Sequence, residues 1–105
     1  MKLHEKIGLK ESELNEIVKT ISSIEHIQRA VIYGSRAKGN YKTYSDIDLT
    51  LSGTNLCTTD IFRLADCFEE SNLPYLFDIS NFDNLKNLAL IEHIKRCGIT
   101  IFERI

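Results

Sequence analysis

YGSRAKGNYKTYSDIDLTL, residues 33–51, is the stretch that decides how this chain folds. Asp46 and Asp48 lie inside an otherwise apolar run. Because alternate side chains of a strand share a face, the two are predicted to project together, with α-carbons roughly 6 to 7 Å apart. Aspartate is depleted in strands, and like charges at this spacing disfavour joint ionisation. The pair is therefore costly to stability unless a cation lies between the carboxylates.

A glycine–serine turn precedes the aspartates. Gly34 permits a sharp turn and close backbone approach to a ligand, and Ser35 offers a hydroxyl and an amide to a phosphate at the start of a short helix. Gly39 is predicted to end that helix in a left-handed conformation. The alternative for the glycines alone is a flexible loop. A P-loop is excluded because Asn40 and Tyr41 stand where lysine and serine or threonine are required.

A third carboxylate, Asp78, interrupts the apolar run YLFDIS. If that strand lies beside the first acidic strand, Asp78 completes a ligand set for two metal ions about 4 Å apart. Hard oxygen ligands suit Mg²⁺, with Mn²⁺ as the second choice, rather than zinc. The alternative is a solvated acid at a strand end, and Asp83 is the nearest competitor for the role.

The composition predicts one domain, residues 1–105, because 105 residues with 43% hydrophobic side chains support a single core. A net charge of −2 gives no basic face for unaided nucleic-acid binding. Three widely spaced cysteines argue against a disulfide framework. The polar N-terminus argues against a signal peptide, and the lack of an 18-residue apolar run argues against a membrane span. A cytoplasmic location is expected.

Hydrophobic periodicity predicts an α/β (α+β) fold with a mixed sheet of about four strands. Helices are expected to cover one face of the sheet and to leave the other for function. Thr58 or Thr59 is predicted to cap the second helix, and Gly98 to end the third. The predicted helices are 11–23, 60–70 and 84–97, and the predicted strands are 29–33, 46–52, 75–80 and 99–105.

The order of these features resembles the nucleotidyltransferase superfamily that includes DNA polymerase β. The whole chain resembles the minimal nucleotidyltransferases of bacteria and archaea, called MNT proteins, and GSRAKG…SDIDL is the most specific part. The resemblance implies that Gly34 and Ser35 hold the terminal phosphates of a nucleotide. It also implies that Asp46 and Asp48 bind both metal ions. Asp78 would bind the catalytic ion and help to deprotonate the acceptor hydroxyl.

The reaction implied by the resemblance is transfer of a nucleoside monophosphate, usually AMP from ATP, to a hydroxyl group, with two Mg²⁺ ions and release of pyrophosphate. Arg36, Lys38 and Lys42 are expected to meet the triphosphate electrostatically, although surface basic residues are often simply solvated.

MNT proteins are commonly paired with an all-helical HEPN-type protein. Many such pairs are toxin–antitoxin systems, in some of which the MNT chain adds AMP to a tyrosine of the toxin. Three hypotheses follow: an antitoxin that modifies its HEPN partner, a transferase for a small molecule such as an aminoglycoside, and a binding module without chemistry. The clustered acids count against the third. His4, His26 and His93 are expected to be structural or exposed, with no metal role.

Overall fold

The structure is a computed structural model that describes residues 1–104. Its helices are α1 (Leu3–Lys6), α2 (Glu11–Ser22), α3 (Ser35–Lys38), α4 (Thr58–Glu70) and α5 (Leu88–Cys97), with a 3-10 turn at Phe82–Asn84. Its strands are β1 (Arg29–Tyr33), β2 (Ile47–Ser52), β3 (Phe77–Asn81) and β4 (Ile99–Glu103). Among the described residues, no helix combines the length and apolarity needed to cross a membrane.

The four strands form one mixed sheet in the order β3-β2-β1-β4. β1 is antiparallel to β2 and to β4, whereas β2 is parallel to β3 and α4 makes the crossover between them. The register pairs Tyr33 with Asp48, and Asp48 with Asp78. The carboxyl end of β1 therefore meets the amino ends of β2 and β3 at one edge of the sheet. The predicted mixed sheet is confirmed.

One face of the sheet carries the hydrophobic core under α2 and α4. Ala30 and Ile32 of β1 are fully buried there, and Phe68 of α4 stacks on Phe77 of β3 with ring centroids 4.0 Å apart. Burying apolar side chains between sheet and helices is the main term that stabilises such a layer. The strand and helix residues that share this cluster include Leu14, Ile17, Ile21, Ile47, Leu49, Leu51 and Leu64.

The opposite face is partly covered by α5, so helices lie on both sides of the sheet. Ile94 is the buried residue of α5, and Gly98 after it lies so close to Val31 of β1 that a β-carbon there would meet the valine side chain. Leu88, the first residue of α5, is 80% exposed. On this face α5 packs against β1, while Asp78 of β3 stays exposed and Asp48 of β2 is half-buried.

Several boundaries differ from the sequence predictions because local polar contacts set them. The third predicted helix is split, and α5 begins at Leu88 because the Asn87 side chain accepts a hydrogen bond from the Leu90 amide at 3.1 Å. β3 begins two residues later and ends one residue later than predicted. The short helix α1 was not predicted. The end of the last predicted strand, Ile105, lies outside the described residues.

The start of α4 is held by a buried carboxylate rather than by the predicted threonines. Asp60 accepts hydrogen bonds from the Cys57 amide at 3.2 Å and from the Cys57 thiol at 3.4 Å, and its Oδ2 lies 2.9 Å from His26 Nδ1. The contact with His26 and those with Cys57 hold the pKa of Asp60 below its usual value, although burial opposes the shift. Asp60 thus ties the segment before β1 to α4.

Removing this carboxylate with Asp60→Ala is expected to lower the free energy of unfolding at pH 7 by about 2 kcal/mol, through loss of a helix cap and a buried hydrogen-bond partner. Because the pKa of Asp60 is depressed in the folded state, its contribution is present above the ordinary value of 3.8 and is lost as the pH falls further. Urea unfolding should therefore show the difference between wild type and Asp60→Ala narrowing at low pH. Asp66→Ala, an exposed change on the same helix, is the control, and a difference independent of pH would contradict the assignment.

Candidate active site

Asp48 and Asp78 lie side by side on neighbouring parallel strands. Their α-carbons are register partners, and both residues alternate with side chains of the core, so they point to the face opposite α2 and α4. Asp46 is exposed and immediately precedes β2. The structure thus brings Asp48 and Asp78 together on one face of the sheet. Asp46 lies just before the first residue of β2.

The three carboxylates act on one another electrostatically. The pKa of Asp48 is raised, first by burial and then by repulsion from Asp78 and Asp46, while His93 opposes the shift. A divalent cation would relieve this repulsion, and carboxylate oxygens are the donors that Mg²⁺ and Mn²⁺ prefer. The chemistry of the donor set therefore fits a hard divalent ion.

Asp46, Asp48 and Asp78 do not lie close enough together in the structure to form a complete metal site. Within residues 1–104, no three histidine, cysteine, aspartate or glutamate side chains lie close enough together to hold a metal ion. Asp46 and Asp78 are exposed, so their side chains have room to move towards an ion without disturbing the core.

The glycine–serine turn adjoins Asp48. Gly34 has a φ of +76°, and a β-carbon on it would overlap the Asp48 carboxylate. α3 follows, and Gly39 ends it in the predicted left-handed conformation with a φ of +88°. The first intrahelical bond runs from the Lys38 amide to the Gly34 carbonyl at 3.0 Å. The amides of residues 35–37 come before it and have no intrahelical acceptor, as a phosphate-binding turn requires.

The two glycines are expected to respond differently to substitution. Gly34→Ala adds both a positive-φ penalty and a clash with Asp48, so it should lower the free energy of unfolding by about 3 kcal/mol. Gly39→Ala meets no atom within 4 Å and carries the backbone penalty alone, about 1 kcal/mol. Chemical denaturation of both variants measures the difference. Equal losses would mean that Asp48 does not press against the turn.

Arg36 has a different place from the one expected. The side chain is fully buried, and it donates to the carbonyl oxygens of Ile7 and Gly8 through Nη1, at 3.0 and 3.1 Å. Nη2 donates to Thr43 and Ser45 at 3.3 and 2.9 Å, and Nε also donates to Ser45 at 3.1 Å. The prediction that Arg36 contacts a triphosphate is therefore corrected, because the guanidinium has no exposed surface and its donors are already in use.

The guanidinium of Arg36 also packs between aromatic rings. Its central carbon lies 5.4 Å from the ring centroid of Tyr41 and 4.8 Å from that of Tyr75. Since the Ser45 carbonyl directly precedes Asp46, this side chain connects α3 to the segment that leads into the acidic strand. Arg36 is a positioning residue for the turn and for Asp46.

Lys38 and Lys42 differ from Arg36 because both are exposed. Neither forms an ion pair with a carboxylate of the described residues. Lys38 ends α3 and Lys42 follows four residues later, so both are exposed bases close to the turn in sequence.

His93 is a residue of the site that sequence reasoning missed. Its Nε2 accepts a hydrogen bond from the Gly34 amide at 3.1 Å, and its ring meets Tyr33 edge-on with centroids 6.2 Å apart. The contact links α5 to the turn. The two partners are 59 residues apart in sequence, so no local pattern could have indicated it.

A mixed sheet that sets aspartates of neighbouring strands beside a glycine–serine turn defines the class of nucleotidyltransferase folds. The family model described as Polymerase beta, Nucleotidyltransferase matches residues 15–105, and the chain belongs to this family. No curated protein matches the chain significantly.

Solved structures share the fold at low sequence identity. A chain of a toxin–antitoxin complex with AMP-PNP superposes with a TM-score of 0.71 and 21% identity, over 86% of this chain and 73% of that chain. A chain of a Shewanella oneidensis complex between a tri-AMPylated HEPN toxin and an MNT antitoxin gives 0.67 and 18%, over 89% and 71%. A chain of the MntA-HepT toxin–antitoxin gives 0.66 and 19%, over 90% and 73%.

Proposed function

We propose that this chain transfers a nucleoside monophosphate, AMP from ATP, to a hydroxyl group of a HEPN-type partner protein and thereby acts as its antitoxin. The observation that carries the proposal is the coupling of Asp48 with Asp78 and Asp46 directly beside the Gly34 turn. A pure binding module has no need for mutually repelling carboxylates at that point.

In the proposed reaction, the turn binds the leaving phosphates and the aspartates bind the metal ions. At the turn of Gly34 and Ser35, the free amides of residues 35–37 and the Ser35 hydroxyl would hold the terminal phosphates, with Lys38 and Lys42 adding positive charge. Two Mg²⁺ ions, or Mn²⁺ in their place, held by the three aspartates would neutralise charge on the reacting phosphate.

Asp78 would accept the proton of the acceptor hydroxyl. The hydroxyl oxygen attacks the α-phosphorus, the bond from that phosphorus to the bridging oxygen breaks, and pyrophosphate leaves towards Ser35. The attacking and leaving oxygens must lie on opposite sides of the phosphorus, so positioning both is the main catalytic task of the protein.

The partner assignment is supported by the solved relatives. One similar structure is a toxin–antitoxin complex with AMP-PNP, and another contains an AMPylated HEPN toxin with its MNT antitoxin. Both likenesses are below 25% identity, so the partner and the nucleotide are parts of the proposal.

The test is transfer of label from ATP. The protein is incubated with Mg²⁺ and α-labelled ATP, with and without the protein encoded beside it in the genome, and products are analysed by intact-mass spectrometry. Mass gain of one AMP on the neighbour's product, abolished by EDTA, is the expected result. Label on an added aminoglycoside instead would support the small-molecule alternative. ATP binding without transfer to either acceptor would support the binding module.

A further inference from the structure

A cavity of about 260 Å³ lies on the same sheet face as the aspartates. Val31 and Thr50 form its floor, and Ile94 of α5 and Phe82 of the 3-10 turn form its walls. The register places Val31 opposite Thr50. This pair lies on the same face as the pair of Tyr33 and Asp48, two residues further along each strand. The cavity therefore begins about 7 Å along the strand from Asp48.

A row of hydroxyl groups joins this cavity to the acids. Ser80, the residue after Asp78 on the same face of β3, donates to Thr50 Oγ1 at 3.0 Å. The Tyr33 ring, on the same face of β1 as Val31, lies beside the pair of Asp48 and Asp78. Two hydroxyl side chains therefore lie on the sheet face between the carboxylates and the cavity.

The cavity and the Gly34 turn lie in opposite directions along the strands from Asp48. The turn at Gly34 adjoins Asp48 at the end of β1, whereas Thr50 and Ser52 lead away from the turn. In a displacement at phosphorus, the nucleophile enters opposite the leaving group. If pyrophosphate leaves at the turn, an acceptor held in the cavity would enter from the side opposite the leaving group.

Two cations line the cavity, Arg29 and Lys95. Neither forms an ion pair with a carboxylate within residues 1–104, although Arg29 donates a hydrogen bond to the Thr100 hydroxyl at 3.0 Å. Two cations above an otherwise apolar and hydroxyl-lined hollow favour a single anionic group.

We propose that this cavity is the acceptor subsite, and that it binds an acidic side chain of the protein acceptor close to the hydroxyl that is modified. The inference rests on the proposed transferase function. A carboxylate of a protein is favoured over a nucleic acid because the cavity holds one small group between apolar walls, and because a net charge of −2 provides no extended basic track for a polyanion.

The test is a binding measurement that needs no turnover. Amide chemical shifts of the ¹⁵N-labelled protein are followed during titration with benzoate, phenyl phosphate and uncharged benzyl alcohol. Benzoate should shift the amides of Thr50, Ser52 and Gly98. The double variant Arg29→Gln, Lys95→Gln should weaken benzoate binding at least tenfold. Arg63→Gln, Lys86→Gln, which changes exposed cations outside the cavity lining, is the matched control and should bind like wild type.

Three outcomes would overturn the proposal. They are equal shifts with benzyl alcohol, benzoate shifts confined to the lysines near the turn, and a clear preference for phenyl phosphate, which would indicate a nucleic-acid acceptor. A separate titration with ATP and Mg²⁺, followed at residues 34–38, tests the proposed nucleotide site. If ATP causes no shifts while benzoate still does, the proposed transferase function is refuted, but binding of an anion in the cavity is not.

Discussion

Asp48→Asn is expected to slow nucleotidyl transfer by about three orders of magnitude while making the metal-free protein more stable. Asp48 faces Asp78 and lies beside the Gly34 turn, so its charge is central to the proposed ion binding. Loss of this ligand should reduce the rate about a thousandfold, which corresponds to roughly 4 kcal/mol of transition-state stabilisation. The raised pKa means that ionised Asp48 is less favourable in the folded than in the unfolded state, so a neutral amide removes a penalty at neutral pH.

The same variant separates catalysis from folding. Mg²⁺ should raise the melting temperature of wild type and leave that of Asp48→Asn unchanged, because only wild type keeps the full carboxylate set. Asp83→Asn is the matched control, since Asp83 is exposed and lies on the 3-10 turn. Undiminished transfer by Asp48→Asn, or equal loss in Asp83→Asn, would remove Asp48 from the proposed mechanism.

Arg36→Met is expected to be the most damaging single change to stability. It leaves the carbonyl oxygens of four residues without their charged donor, and each buried unsatisfied carbonyl costs about 1 to 3 kcal/mol. Methionine recovers part of the packing between Tyr41 and Tyr75, so a net loss of about 4 kcal/mol in the free energy of unfolding is expected. Circular dichroism during urea denaturation measures it.

Charge and shape can be separated at the same position. Arg36→Lys keeps the charge but lacks the planar fork that reaches carbonyls on several segments, so it should be nearly as destabilising as Arg36→Met. Lys38→Met, two residues away on an exposed side chain, should change stability by less than about 0.5 kcal/mol. A mild effect of Arg36→Lys would indicate that the charge alone matters.

Much of the fold follows from local patterns. β1 is predicted with the observed bounds because a β-branched run ends at a glycine, and α2 is predicted to within one residue because its apolar side chains recur on one face. The face of β2 that carries Asp48 follows from period-two alternation, whereas its closeness to the turn comes from the pairing of β1 with β2. The pairing of β2 with β3 cannot be read from either strand, since it depends on the crossover through α4.

What the sequence could not reveal are contacts between distant segments. Arg36 reads as a surface base in a basic turn, yet the chain before α2 folds back over it and supplies two of its acceptors. His93 reads as a helix residue without partners, although α5 crosses the face that carries the acids. Both depend on packing that no spacing pattern encodes.

The buried guanidinium of Arg36 also acts at a distance. It has no carboxylate counterion within residues 1–104, so no opposite formal charge neutralises it. At a given distance a charge acts more strongly through protein than through water because protein has the lower dielectric constant, and mobile salt ions cannot enter to screen the charge at its source. A polyanion arriving at Ser35 would meet a permanent positive potential from below the turn. Attraction of this kind should persist at ionic strengths that erase the pull of the exposed lysines.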